Sequence, residues 1–156
     1  MKIVVATDGS RGGAAALRFA ARLAARDPST ELTILTVESR QTIRPSEGAS
    51  TVVMPGPSPT KKETRRKARR VLDEAAKKLR RYPVRARFHL VPSNRTPIPE
   101  TISREADRLK ADLVVIGSEG RDTLSEWVVG GTALRLIYVA RRPVAVVRPP
   151  RRRKTV

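Results

Sequence analysis

Five short apolar runs, separated by stretches with helical period, constrain this chain more than anything else in it. The first, Lys2 to Thr7, is suited to a strand buried on both faces, and Asp8-Gly9-Ser10 punctuates its end. A helix follows: Ser10 is placed to cap it, and Leu17, Ala20, Ala21 and Ala24 fall at i, i+3, i+4 and i+7, the stripe that packs on a sheet. Leu32 to Val37 reads as the second strand. Glu38 to Thr60 is rich in Pro, Ser, Thr and Gly and has no sustained period, as expected of a loop excursion. From Lys61 to Arg81 the spacing predicts a long amphipathic helix with Ala68, Val71, Leu72, Ala75 and Leu79 inward, stopped by Tyr82-Pro83.

Arg85 to Val91 alternates Ala86, Phe88 and Leu90 with Arg85, Arg87 and His89, the period of a strand with one wetter face at a sheet edge. Thr96-Pro97 starts the next helix, with Ile98, Ile102, Ala106 and Leu109 as its buried stripe. Asp112 to Ile116 is the fourth strand. A short turn or helix is expected over Thr123 to Val129, then a final helix marked by Ala133, Leu136, Ile137 and Ala140, and a last strand from Pro143 to Arg148. Strict alternation of strand and helix, with right-handed crossovers, demands a parallel sheet covered by helices on both faces. Ligands of such sheets sit beyond the C-terminal strand ends, where strand order reverses.

At 156 residues the chain fits one domain with a single core. Zero cysteines exclude disulfides, Cys-ligated zinc, iron–sulfur clusters and thiol catalysis. The first apolar positions are too few for a signal peptide before Asp8, and no apolar run approaches bilayer length, so the expectation is a soluble cytoplasmic protein without membrane contact. A formal charge of +18 predicts long-range attraction to polyanions, but speaks of association and not of fold.

The densest chemical signal follows Leu113-Val114-Val115-Ile116. Gly117 and Gly120 are three apart, and Gly130-Gly131-Thr132 comes where the last helix begins. Glycines let a strand turn sharply with no side chain in a ligand's way, and a helix start offers unpaired N–H donors and partial positive charge, so the pattern suits an anionic group. Tight turns alone are the competing explanation for these glycines.

Gly-x2-Gly-x9-Gly, the opening Val4-Val5-Ala6-Thr7-Asp8-Gly9-Ser10 and the closing Arg142-Pro143-Val144-Ala145-Val146-Val147 together resemble the universal stress protein family, over nearly the whole chain. The resemblance implies one three-layer α/β domain over 1–148, a five-stranded parallel sheet in the order 3-2-1-4-5 of the adenine nucleotide alpha hydrolase-like kind, and a basic tail over 149–156. It implies ATP as ligand: Thr7 and Asp8 at the adenosine part, Val37 bordering adenine, and Ile116, Gly117, Gly120, Arg121, Gly130, Gly131 and Thr132 around the phosphates. Asp8 is also placed to hold Mg²⁺ near the phosphates, or merely to cap the following helix. A homodimer through the strand at 143–148 is implied as well.

Three positions depart from the family pattern. Gly131 stands where nucleotide-binding members have Ser or Thr, a lost hydrogen bond to charged oxygen worth about 1.5–3 kcal/mol. Glu119 lies between the first two glycines, and a carboxylate ~5 Å from a phosphate charge opposes it by roughly 3 kcal/mol at an effective dielectric of 20. Ser93-Asn94-Arg95 replaces a glycine after the third strand.

No Walker loop, first-strand dinucleotide fingerprint or nucleophile elbow is present, and the single histidine, His89, reads as a strand residue. Slow ATP hydrolysis is the most enzymatic reading. The leading expectation is therefore a stress-associated ATP-binding sensor or switch. The alternatives are a ligand-free protein of the same type, or a non-specific polyanion-binding module using Lys61, Lys62, Arg65, Arg66, Lys67, Arg69 and Arg70 with Arg151-Arg152-Arg153-Lys154.

Overall fold

The computed structural model describes residues 1–38, 59–119 and 129–150. The loop at Glu38 to Thr60, except at its two ends, and the turn at Thr123 to Val129, except for Val129, lie outside the described residues, as do Gly120, Arg121 and the tail from 151. The chain order is β1 (Lys2–Ala6), α1 (Arg11–Ala24), β2 (Glu31–Glu38), α2 (Lys61–Leu79), β3 (Ala86–Pro92), α3 (Ile98–Arg108), β4 (Leu113–Gly117), α4 (Gly131–Val139) and β5 (Val144–Val147). All strand pairs are parallel, in the order β3-β2-β1-β4-β5. The expected α/β fold and strand order are therefore observed.

Side-chain alternation divides the core into two layers. Ile3, Val5, Leu32, Ile34 and Val115 face α1 and α2, where they meet Leu17, Ala20, Ala21, Leu72, Ala75 and Leu79. Val4, Ala6, Leu35, Val114 and Ile116 face the other way, toward Ile102 and Ala106 of α3 and Ala133 and Leu136 of α4. Because β1, β2 and β4 are covered on both faces, their runs are apolar at successive positions, the pattern of buried parallel strands. Among the described residues, no helix is long and apolar enough to cross a membrane.

Local chemistry sets the element ends. Ser10 caps α1 by accepting from the Gly13 N–H at 3.0 Å. Thr60 and Glu63 form a reciprocal capping box at the start of α2: the Thr60 hydroxyl accepts from the Glu63 N–H, and a Glu63 carboxylate oxygen accepts from the Thr60 N–H at 2.8 Å. Helix α3 begins one residue later than its Thr-Pro signal suggests, with Pro97 as N-cap and Pro99 inside the first turn, where no intrahelical donor is needed. Two expected inward residues are corrected. Ile137 on α4 is 50% exposed, and Phe88 on β3 is 39% exposed because its strand lies at the sheet edge.

One contact fixes how α1 sits against β4. A Cβ built on Gly117 would collide with the Gly12 backbone, and one built on Gly12 would collide with the Glu119 backbone carbonyl. The start of the helix and the end of the strand thus lie main chain against main chain. Gly9, with φ 81°, supplies the left-handed turn between β1 and α1 that this approach requires.

Gly117→Ala and Gly12→Ala are each expected to lower stability by about 1–3 kcal/mol through overpacking against backbone, read as a reduced midpoint in urea unfolding. At the start of α2, hydrogen bonds from Thr60 hold the Glu63 carboxyl below its ordinary value of 4.5. A carboxyl depressed in the folded state stabilises fully above its unfolded pKa and loses that contribution as pH falls through the folded value. The protection factor of the Glu63 amide, its exchange relative to the unstructured rate at the same pH, should therefore fall below pH 4.5 in the native chain. Thr60→Ala should abolish that step and cost about 1 kcal/mol; an unchanged pH profile in the variant would refute the role of the box.

Candidate functional site

The register brings the ends of β1 and β4 nearly level, with β2 running on to Glu38. Ala6 pairs with Leu35 on one side and Ile116 on the other, so Thr7, Val37 and Gly117 emerge together at the C-terminal edge of the sheet. This is the strand-order reversal, since β1 leads into a helix on one face and β4 into a helix on the other. The Thr7 N–H donates to the Leu35 carbonyl at 3.0 Å, and the buried Thr36 hydroxyl donates to the Thr7 carbonyl at 3.0 Å, tying the exit of β1 to β2.

The loops after β1 and β4 touch. The Ser10 hydroxyl donates to the Glu119 carbonyl at 3.2 Å while also capping α1, so one side chain joins both loops. Beyond the gap in the described chain, the Gly130 N–H donates to the Ser118 carbonyl at 2.7 Å and the Ser118 N–H donates to the Val147 carbonyl at 2.8 Å. These bonds bring the start of α4 back over the end of β4. Thr7, Asp8, Val37, Ile116, Gly117, Gly130, Gly131 and Thr132 consequently share one edge of the molecule. Gly120 and Arg121 lie outside the described residues.

Individual roles differ from one another. The Thr7 hydroxyl accepts from the Gly9 N–H at 3.2 Å and lies against Gly13, on the α1 side of the sheet. Asp8 Oδ1 accepts from the Ser10 N–H at 2.9 Å, which shapes the turn, while the capping of α1 falls to Ser10. Gly117 is required by the Gly12 backbone. Gly131 has no such neighbour: nothing described lies within 4 Å of where its Cβ would be. Helix α4 begins there with no side-chain cap and no acidic residue in its first turn, so its leading N–H groups and partial positive charge face an exposed approach.

Gly12, Gly13 and Thr36 belong to this arrangement although sequence reasoning did not single them out. Two adjacent glycines in a helix's first turns carry a propensity cost of roughly 1 kcal/mol each relative to Ala, and that cost was the available signal. No group of three or more His, Cys, Asp or Glu able to hold a metal occurs among the described residues.

Comparison with known proteins agrees with the fold. The family model described as the universal stress protein family matches residues 1–148. The universal stress protein YxiE of Bacillus subtilis is 28% identical over 149 residues, covering 94% of this chain and 98% of that one. A crystal structure from the same family in Burkholderia pseudomallei is 30% identical, with a TM-score of 0.67 and 96% of each chain covered. The Archaeoglobus fulgidus universal stress protein solved in complex with dAMP is 22% identical, has a TM-score of 0.65 and covers 94% of this chain and 97% of that one. The chain belongs to the universal stress protein family.

Proposed function

We propose that the crevice between the β1 and β4 exits binds an adenine nucleotide, ATP in the first instance, and that occupancy makes the protein a sensor or switch. The observation that carries this reading is Gly131. A glycine at the first helical position has a propensity cost and no packing reason among the described residues, which leave the space in front of the uncapped α4 start open. An anion can approach the main-chain donors of that end closely with no side chain between them. The solved dAMP complex of a relative with this fold supports adenine nucleotide as the ligand class.

In this arrangement the α4 N–H groups and the Thr132 hydroxyl meet the phosphates, while Asp8 faces the sugar. Mg²⁺, if it accompanies ATP, would be held chiefly by phosphate and water oxygens, with Asp8 as the protein oxygen at hand. Binding shifts a conformational equilibrium only through unequal affinity for its two states.

The second half of the proposal is a homodimer. Strand β5 is a sheet edge of four residues, Val144–Val147, and edges with apolar side chains invite pairing. The preceding helix also exposes Leu134, Ile137 and Tyr138, the last at 81%. Both features point to a second copy as the cover.

Calorimetry with ATP and Mg²⁺ should give saturable heat, and Gly131→Leu should weaken binding at least tenfold, about 1.4 kcal/mol, with the unfolding midpoint unchanged. Absence of heat at millimolar ATP would remove the nucleotide reading. Light scattering should report twice the chain mass, and the double variant Leu134→Glu/Ile137→Glu should report the single chain. A wild-type monomer would end the dimer proposal.

A further inference from the structure

A hollow with a volume of about 300 Å³ lies between α1 and α2, on the face of the sheet opposite α4. Its floor is apolar: Leu17 of α1 and Val71 and Ala75 of α2 line it and are buried. Its rim is cationic, with Lys67, Arg70 and Lys78 exposed along one side, and the Thr7 hydroxyl at the sheet end. Glu74, the one acid in the lining, is paired with Lys77 at 2.7 Å, and that bond holds its carboxyl below the ordinary range. The carboxylate is thereby offset, and the excess positive charge of the rim stands.

We infer that this hollow is a binding site for a small organic phosphate, its apolar part on Leu17 and Val71 and its phosphate between Lys67 and Arg70. Lys67 and Arg70 are three residues apart on α2, so their side chains rise from neighbouring turns of one face and converge on one anion. Arg supplies a planar fork matched to phosphate oxygens and Lys a mobile point charge. The volume is at the lower end of the ~300–1,000 Å³ typical of small-molecule pockets. A single-stranded nucleic acid is disfavoured, because its binding grooves rely on aromatic platforms and, among the described residues, no aromatic side chain lines this hollow.

The inference is independent of the nucleotide crevice, although Thr7 borders both. Phenyl phosphate is the probe, titrated into the full-length chain and followed by calorimetry and by amide chemical shifts. Shifts are expected at Leu17 and Val71, with affinity at least tenfold above that for inorganic phosphate. Lys67→Ala/Arg70→Ala, both on the exposed rim, should remove that binding. Ala14→Leu, which adds bulk to the hollow and leaves every charge in place, should weaken it to the same degree. Equal affinity for phenyl phosphate and inorganic phosphate would overturn the site, as would shifts confined to Gly117 and Gly130. Tighter, salt-sensitive binding of a single-stranded oligonucleotide to α2 without shifts at Leu17 would replace it with a polyanion surface.

Discussion

The contact of Gly12 with Gly117 and Glu119 is the constraint from which the upper edge of the molecule follows. Backbone meets backbone there with no room for a Cβ on either glycine, so α1 approaches β4 more closely than ordinary side chains allow. Only at that spacing does the Ser10 hydroxyl reach the Glu119 carbonyl while it caps α1. The Glu119 backbone then has a fixed direction, Ser118 is buried, and its carbonyl is placed for the Gly130 N–H. Two loops separated by over a hundred residues in the chain are thus joined through hydroxyl and main-chain bonds, which are insensitive to the large positive charge elsewhere.

That charge is handled by geometry. Two acids of α3 are committed to specific partners: Glu100 pairs with Arg135 and Asp107 with Arg142, linking α3 to α4 and to the approach of β5. The pair from Arg135 lowers the Glu100 carboxyl from its ordinary value, so it stays ionised at neutral pH against a helix it helps to seat. Helix α2 has no comparable supply of acids. Between positions 61 and 81 there are eleven Lys or Arg against three Asp or Glu, and of those three Glu63 is used by the cap and Glu74 by Lys77. The cationic excess therefore gathers on one helix face rather than spreading evenly, and the α1–α2 hollow opens beside it.

Periodicity made most of the fold legible before any coordinates. The inward stripes of α1 and α2 were readable because each is set by burial against a sheet, and period is what burial imposes. The same reasoning overreached at Ile137. Helix α4 has only nine residues and packs on the outer part of the sheet, so a narrow stripe through Ala133 and Leu136 suffices and the third apolar position faces out. Phe88 is exposed for a related reason, since an edge strand has cover on one side only. The close approach at Gly12 was not legible, because a clash between segments distant in sequence leaves only a propensity anomaly in the local pattern. The hollow between α1 and α2 was hidden likewise: its cations look like an ordinary solvated face until Leu17 and Val71 are seen beneath them.

The glycines of one motif answer to different forces. Gly117 is explained by the protein alone, since any side chain there strikes Gly12. Its presence would be expected in a chain of this fold whether or not it binds a ligand, so it discriminates nothing about function. Gly131 is the opposite case, because nothing among the described residues stands where its side chain would be and helix propensity would favour one. A glycine against local preference at a helix start with no side-chain cap is the feature on which the proposed anion contact rests. Replacing the serine or threonine of the family pattern with glycine removes one hydroxyl but allows nearer approach to the main-chain donors, which exchanges a hydrogen bond from a side chain for a shorter path to the helix's partial charge. That exchange favours a ligand whose charge is concentrated at its end, as in a terminal phosphate, over one recognised mainly through hydroxyl geometry.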